Sequence, residues 1–147
     1  MKTLRCVALI AVAGMVAGFA PMRWDRAAGV GVVDGGSWAG SHFDFVIRLP
    51  QARTERNRFH FWDPGMFLPV DVQLTHIRGI TFTDSRVDFA GSGTNNGDPI
   101  TASGWVQDNG DGSLDHFHFV AHDLQGNVVA YGDGHLTEGD IVVTHGQ

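Results

Sequence analysis

Three histidines share one parity of a single extended segment. His116, His118 and His122 alternate with Phe117, Phe119 and Ala121, and residues two apart on a β-strand project from the same face about 7 Å apart. Imidazoles at H-x-H spacing are within reach of one zinc or other transition-metal ion. His42, His60 and His135 are the residues that neighbouring strands can add to such a site. Calcium needs hard oxygen ligands on a tightly curved loop, and Asp108, Asn109, Asp111, Ser113 and Asp115 supply them between turn glycines. Gly110 stands where an EF-type loop has its middle ligand, so the register departs from that pattern. Trp62 and Trp105 lie on the parity opposite the apolar positions of their segments. Two outward indoles make stacking platforms for a glycan or a protein.

Each of these residues also has a plain reading. Phe117, Phe119 and Ala121 form an apolar inner face, which leaves the histidines toward water as ordinary polar residues. The stretch Asp108 to Asp115 reads as a turn. No catalytic residue is assigned: Cys6 is the one cysteine, G-x-S-x-G is absent, and Gly91-Ser92-Gly93 has no strand-to-helix elbow around it. Asp44, Asp71, Asp88, Asp115 and Glu138 show no spacing that singles out a carboxylate pair, and they read as solvated surface charges.

The elements that position these residues are strands. Phe43, Phe45, Ile47 and Leu49 alternate with polar or smaller residues, and Phe59 and Phe61 alternate with His60 and Trp62 up to the turn Asp63-Pro64-Gly65. Alternation returns at Val70, Val72 and Leu74, breaks at Gly79, and resumes at Ile80 and Phe82. Val87 and Phe89, then 100–107, 115–122, 128–131 and 141–144 complete about eight strands. Asn95-Asn96-Gly97 is a tight-turn signal, because both residue types tolerate left-handed torsions. Short strands with no helical period between them predict an all-β, antiparallel sandwich or barrel, one domain over 30–147. Residues 51–58, with Arg53, Arg56 and Arg58, read as a solvated connection.

Lys2 and Arg5 precede an uncharged, mostly apolar run from Cys6 to Ala20, the charged and apolar regions of a secretory signal peptide over 1–20, with cleavage expected between 20 and 28. The run is shorter than the roughly 20 residues of a membrane-spanning helix, and no later segment approaches that length. Export to the cell surface or beyond is the expected location. Beyond the leader the chain has eight arginines, no lysine and 16 acids. That balance argues against a nucleic-acid partner, which is held by clustered cations. Without Cys6 there is no disulfide, and stability must come from a packed core.

The blocks GGSW (35–38), FDF (43–45), FHFWD (59–63), FAGSGTNNG (89–97), WVQDNGDGSLDHFHF (105–119) and GHLTEGDIVVT (134–144) cover about three quarters of the chain. In order and content they resemble the post-COAP domain family, which follows choice-of-anchor modules in bacterial surface and secreted proteins. That family's blocks read G-x-G-T-x-N-G, D-N-G, D-x-F-x-I and G-x-L-x-x-G-x-I. The resemblance implies an exported, all-β, non-catalytic module. This chain departs from the family in its histidine-rich 115–118 and in showing no anchor module of its own. Gly110 to His118 is also similar to the first metal motif of cupins, glycine, five residues and H-x-H, but lacks that motif's glutamate.

Two expectations follow. One is a secreted, non-catalytic β-sandwich module with a binding or structural role, its partner an extracellular protein or glycan met through Trp62 and Trp105. The alternative is a small metal-dependent enzyme or metal-binding protein of cupin-like barrel type, using the H-x-H pair and a divalent zinc, other transition-metal or calcium ion. Geometry separates them, because an enzyme needs its imidazoles to converge inside a concavity, whereas a binding module spreads them over an open sheet.

Overall fold

The structure, a computed structural model, describes residues 24–33, 40–50, 56–65 and 69–146. The leader, the GGSW block with Trp38, and residues 51–55 of the arginine-rich connection lie outside the described residues. Eight strands follow one another: β1 (Asp25–Val33), β2 (Ser41–Leu49), β3 (Arg58–Asp63), β4 (Val70–Thr83), β5 (Arg86–Asn95), β6 (Asp98–Gln107), β7 (His116–His122) and β8 (Val128–His145). A short 3-10 turn, Gly112–Leu114, sits between β6 and β7. Each strand pairs antiparallel with the next, and β8 returns to β1 from Asp25↔His145 to Val33↔Leu136. Of the two all-β architectures expected, the chain forms the closed barrel. Closure gives every strand a neighbour on both sides, although β3 covers β4 only from Val70 to Leu74.

Alternation decides which face goes inside. Phe43 and Phe45 of β2, Phe59 and Phe61 of β3, and Phe117 and Phe119 of β7 are all buried in the lumen, with Phe89, Val72, Val106 and Ile141 around them. Eight strands enclose a space that side chains just fill. Here the filling is asymmetric, because glycines on other strands make room for the rings. A β-carbon at Gly29 of β1 would lie 2.7 Å from Phe45 Cε1, and one at Gly132 of β8 would lie 2.8 Å from Phe61 Cε2. Large and small inward positions therefore complement one another across the barrel. The lumen is a packed core and not a ligand chamber.

Several boundaries differ from the sequence reading. The first strand begins at Asp25, ahead of residue 30. The two segments on either side of Gly79 are one strand, β4, kinked where Gly79 takes a φ of 59° beside the shift in register between Arg78 and Thr81. Segments 128–131 and 141–144 likewise belong to one strand, β8. The β5–β6 turn is as expected, with Asn96 and Gly97 at φ 52° and 92°.

The outward faces of β3, β6 and β7 carry histidine, tryptophan, glutamine, serine and threonine around an apolar lumen. This is the reverse of a membrane barrel, whose outward band is apolar. No helix among the described residues is long and apolar enough to cross a membrane.

Candidate functional site

Strand register sets outward side chains side by side across β5 to β8. Asp88, Trp105, His118 and Asp133 form one cross-strand row. Arg86, Gln107, His116 and His135 form the next. Trp105, on β6, lies between Arg86 of β5, whose guanidinium carbon is 4.2 Å from the indole centroid, and His118 of β7, stacked at 5.6 Å and 16°. His116 tilts against the same indole at 4.8 Å, and His135 against His116 at 4.7 Å. Cation and ring stacking of this kind ties neighbouring strands together on the outside of the sheet. Arg86 also donates from Nε to Asp88 Oδ2 at 3.0 Å, and that hydrogen bond raises the guanidinium pKa further.

Asp133 joins the two histidines. Its Oδ1 lies 3.2 Å from His116 Nε2 and 3.3 Å from His118 Nδ1, and Tyr131 donates its hydroxyl to Oδ2 at 3.2 Å. Burial pulls the Asp133 carboxyl upward, but the hydrogen bonds from His116, His118 and Tyr131 together outweigh it and hold the group below its ordinary value. An ionised carboxylate only accepts, so His116 carries its hydrogen on Nε2 and His118 on Nδ1. Burial, followed by the Asp133 charge, pushes the Tyr131 phenol up. Because the folded-state value of Asp133 is depressed, its stabilising contribution is present above the ordinary carboxylate range and is lost as pH falls through the depressed value. Asp133→Asn is expected to reduce stability at neutral pH by less than about 1 kcal/mol, the scale of a partly exposed pair. Urea midpoints of the two proteins should converge as the solution is acidified below that range.

A second ring cluster stands on β2 and β3. Trp62 stacks on its cross-strand partner His42 at 5.1 Å and 12°, and on His60 of its own strand at 4.6 Å and 24°. His60 places Nε2 3.0 Å from Asp71 Oδ1 and Nδ1 3.4 Å from Asp44 Oδ2. Both tryptophans point outward as the parity predicted, yet each is half-buried by the rings beside it.

The histidines separate accordingly. His42 and His60 belong to the Trp62 cluster, while His116, His118 and His135 belong to the Trp105 cluster. His122 projects from the same outer face of β7, beside Thr101, four residues beyond His118. Among the described residues, no three His, Cys, Asp or Glu side chains form a group that could hold a metal ion. His116 and His118 converge on the Asp133 carboxylate.

The acidic loop is held by its own backbone. Asp108 accepts from Gly110 N at 2.9 Å and Val143 N at 3.0 Å, one on each oxygen. Asp111 Oδ1 accepts from Ser113 N and Oγ at 3.1 and 3.0 Å, which caps the 3-10 turn. Asp115 accepts from Asn109 N and Ile141 N, each at 2.8 Å. Both carboxylate oxygens of Asp108 and of Asp115, and Oδ1 of Asp111, are therefore engaged with protein donors. Asp115 is also no surface charge, being fully buried. Its odd parity on the β7 side carried that signal. Burial foremost, with Asp108 and Asp140 adding, raises its pKa against the two backbone hydrogen bonds that lower it.

Sequence reasoning missed Asp133, Tyr131 and Arg86 as partners of the histidine face. Tyr131, Asp133 and His135 share one parity of β8, which was the available signal. Comparison of the chain with protein-family models, with curated proteins and with solved structures found no match.

Proposed function

We propose that this chain is an exported, non-catalytic binding module that meets an extracellular protein or glycan through its outer aromatic and histidine face. One observation carries the reading: the chemistry-bearing side chains stand outside, on an open curved sheet, around a lumen filled by phenylalanine rings. A catalytic site needs converging groups in a concavity that excludes water. Here His116 and His118 meet at Asp133 and His60 faces Asp44 and Asp71, all on the outer surface of the barrel. The interior, where some eight-stranded barrels hold a small ligand, is occupied by Phe43, Phe59, Phe61, Phe117 and Phe119. Export and cell-surface location belong to the same proposal and rest on Lys2, Arg5 and the run from Cys6 to Ala20. Membership of the post-COAP domain family is part of it too, resting on the blocks of turn glycines and alternating aromatics.

The test has two parts. The full chain, expressed in a bacterial host and fractionated, is expected outside the cytoplasm as a shortened protein. That protein, labelled and applied to arrays of glycans and purified extracellular proteins, should bind at least one class. A Trp62→Ala, Trp105→Ala double variant should bind it at least tenfold more weakly. Elemental analysis of the untagged protein supplies the overturning result: near-stoichiometric transition metal that disappears in a His116→Ala, His118→Ala variant would replace this reading with the metal-dependent one.

A further inference from the structure

The outer surface of β4 to β6 is not level. Beside the row Asp88, Trp105, His118 runs the row Ala90, Ser103, Val120, whose β4 partner is Arg78, next to the kink at Gly79. Tall side chains next to short ones leave a depression of about 320 Å³, bordered by Gly79, Asp88, Ala90, Ser103, Trp105 and His118. We infer that this depression is a subsite for one uncharged pyranose ring of a glycan. The inference rests on the binding-module reading and names its ligand class.

Size is the first argument. Ligand sites run from about 300 to 1,000 Å³, so this one suits a single ring and not a chain of several. The second argument is the kind of polar group at its border. A sugar presents alternating donors and acceptors, and so does this rim. The Ser103 hydroxyl does both, and Asp88, whose two oxygens each accept from Arg86, keeps further lone pairs. His118 has Nδ1 committed to Asp133, which leaves Nε2 as its remaining ring nitrogen. Trp105 borders the depression and brings an indole N–H, a donor only, to this set of groups.

Charge is the third. Asp88 is neutralised by Arg86, and the whole chain carries −6. At long range that charge disfavours phosphorylated, sulfated or uronic ligands, with Arg78 the one cation, among the described residues, in register with the depression's border at Ala90. Order is the fourth: Trp105 is held between Arg86 and His118 before any ligand arrives, so little side-chain freedom remains to be lost on binding. The depression on β2 to β4 next to His60, bordered by Asp44, Arg58, Gln73 and Thr75, has no indole on its rim and serves as the internal control.

The experiment is an amide and indole NMR titration of the full exported chain with methyl glycosides of glucose, galactose, mannose and N-acetylglucosamine into the high millimolar range. The expected result is a saturable shift of the Trp105 indole resonance with at least one glycoside, at a single site. Ser103→Phe fills the depression from an exposed strand position while keeping Trp105, and it should weaken binding at least tenfold. Thr75→Phe, which fills the control depression beside His60, should leave it unchanged. Loss of binding in Thr75→Phe, or retention in Ser103→Phe, would overturn the assignment. Absence of any saturable shift would overturn it as well, and the array experiment then separates the two levels. A protein partner that still depends on the tryptophans leaves the module reading standing, whereas silence in both removes both.

Discussion

Phe117→Ala is expected to lower the unfolding free energy by about 3–5 kcal/mol, the upper range for removing a buried aromatic ring. The ring is fully buried and lies at the centre of the lumen, 4.3 Å from Phe43 at 12°, 6.0 Å from Phe61 at 4°, and 6.1 Å from Phe59. Cavity cost depends on whether the surroundings collapse. Here they are held apart. Gly132 abuts Phe117 from β8, where an added β-carbon would be 3.3 Å from Phe117 Cε1, and its backbone is fixed in the ladder opposite Phe119. A closed barrel cannot shrink its radius without shifting every register at once. The cavity therefore persists, and a loss of this size takes a large part of the 5–15 kcal/mol that typical domains possess. Urea denaturation of wild type and variant measures it. A loss below about 1 kcal/mol would mean that the rings repack as a soft cluster, against the ring and glycine complementarity described above.

That complementarity also explains which strands were legible in the sequence. β2, β3 and β7 place phenylalanine pairs at consecutive inward positions, Phe43 and Phe45, Phe59 and Phe61, Phe117 and Phe119, and β6 keeps Ile100, Ala102 and Val106 on one parity, so the period of two is visible in the chain itself. β1 does not. Its inward positions include Gly29 and Gly31, whose slots are filled by Phe45 and Phe43 from the neighbouring strand. A strand whose core is lent by its neighbour carries no apolar alternation, and β1 escaped notice for that reason. Glycines split β8 into two apparent strands in the same way. Barrel and sandwich could not be told apart locally, because closure is decided by the pairing of β1 with β8, from opposite ends of the described chain. The outward histidines and tryptophans were legible from parity alone. Their partners were not, since Arg86, Asp88 and Asp133 reach them only through a register set by turns and bulges.

The buried carboxylate Asp115 gives the second large effect. It joins three parts of the fold, accepting from Asn109 N in the β6–β7 loop and Ile141 N in β8 while its own carbonyl accepts from Leu136 N. Asp115→Ala leaves two backbone N–H groups without acceptors, and each orphaned buried donor costs about 1–3 kcal/mol. A total loss of about 2–4 kcal/mol is expected, with the loop at Gly112–Leu114 losing its attachment to β8 before the barrel opens. Hydrogen exchange should show early release of the Asn109 and Ile141 amides. The pH dependence has the sign opposite to that of Asp133. Burial raises the Asp115 pKa, so the folded state favours the neutral acid more than the unfolded chain does. Its contribution is therefore fully present below the ordinary carboxylate range and declines as pH rises through the raised value. Asp115→Asn does not titrate. The advantage of wild type over that variant should grow as pH is lowered from neutrality, then level off. If the advantage shrinks instead, the loop is held by the negative charge of Asp115, and the two backbone N–H groups favour the anion by more than burial disfavours it.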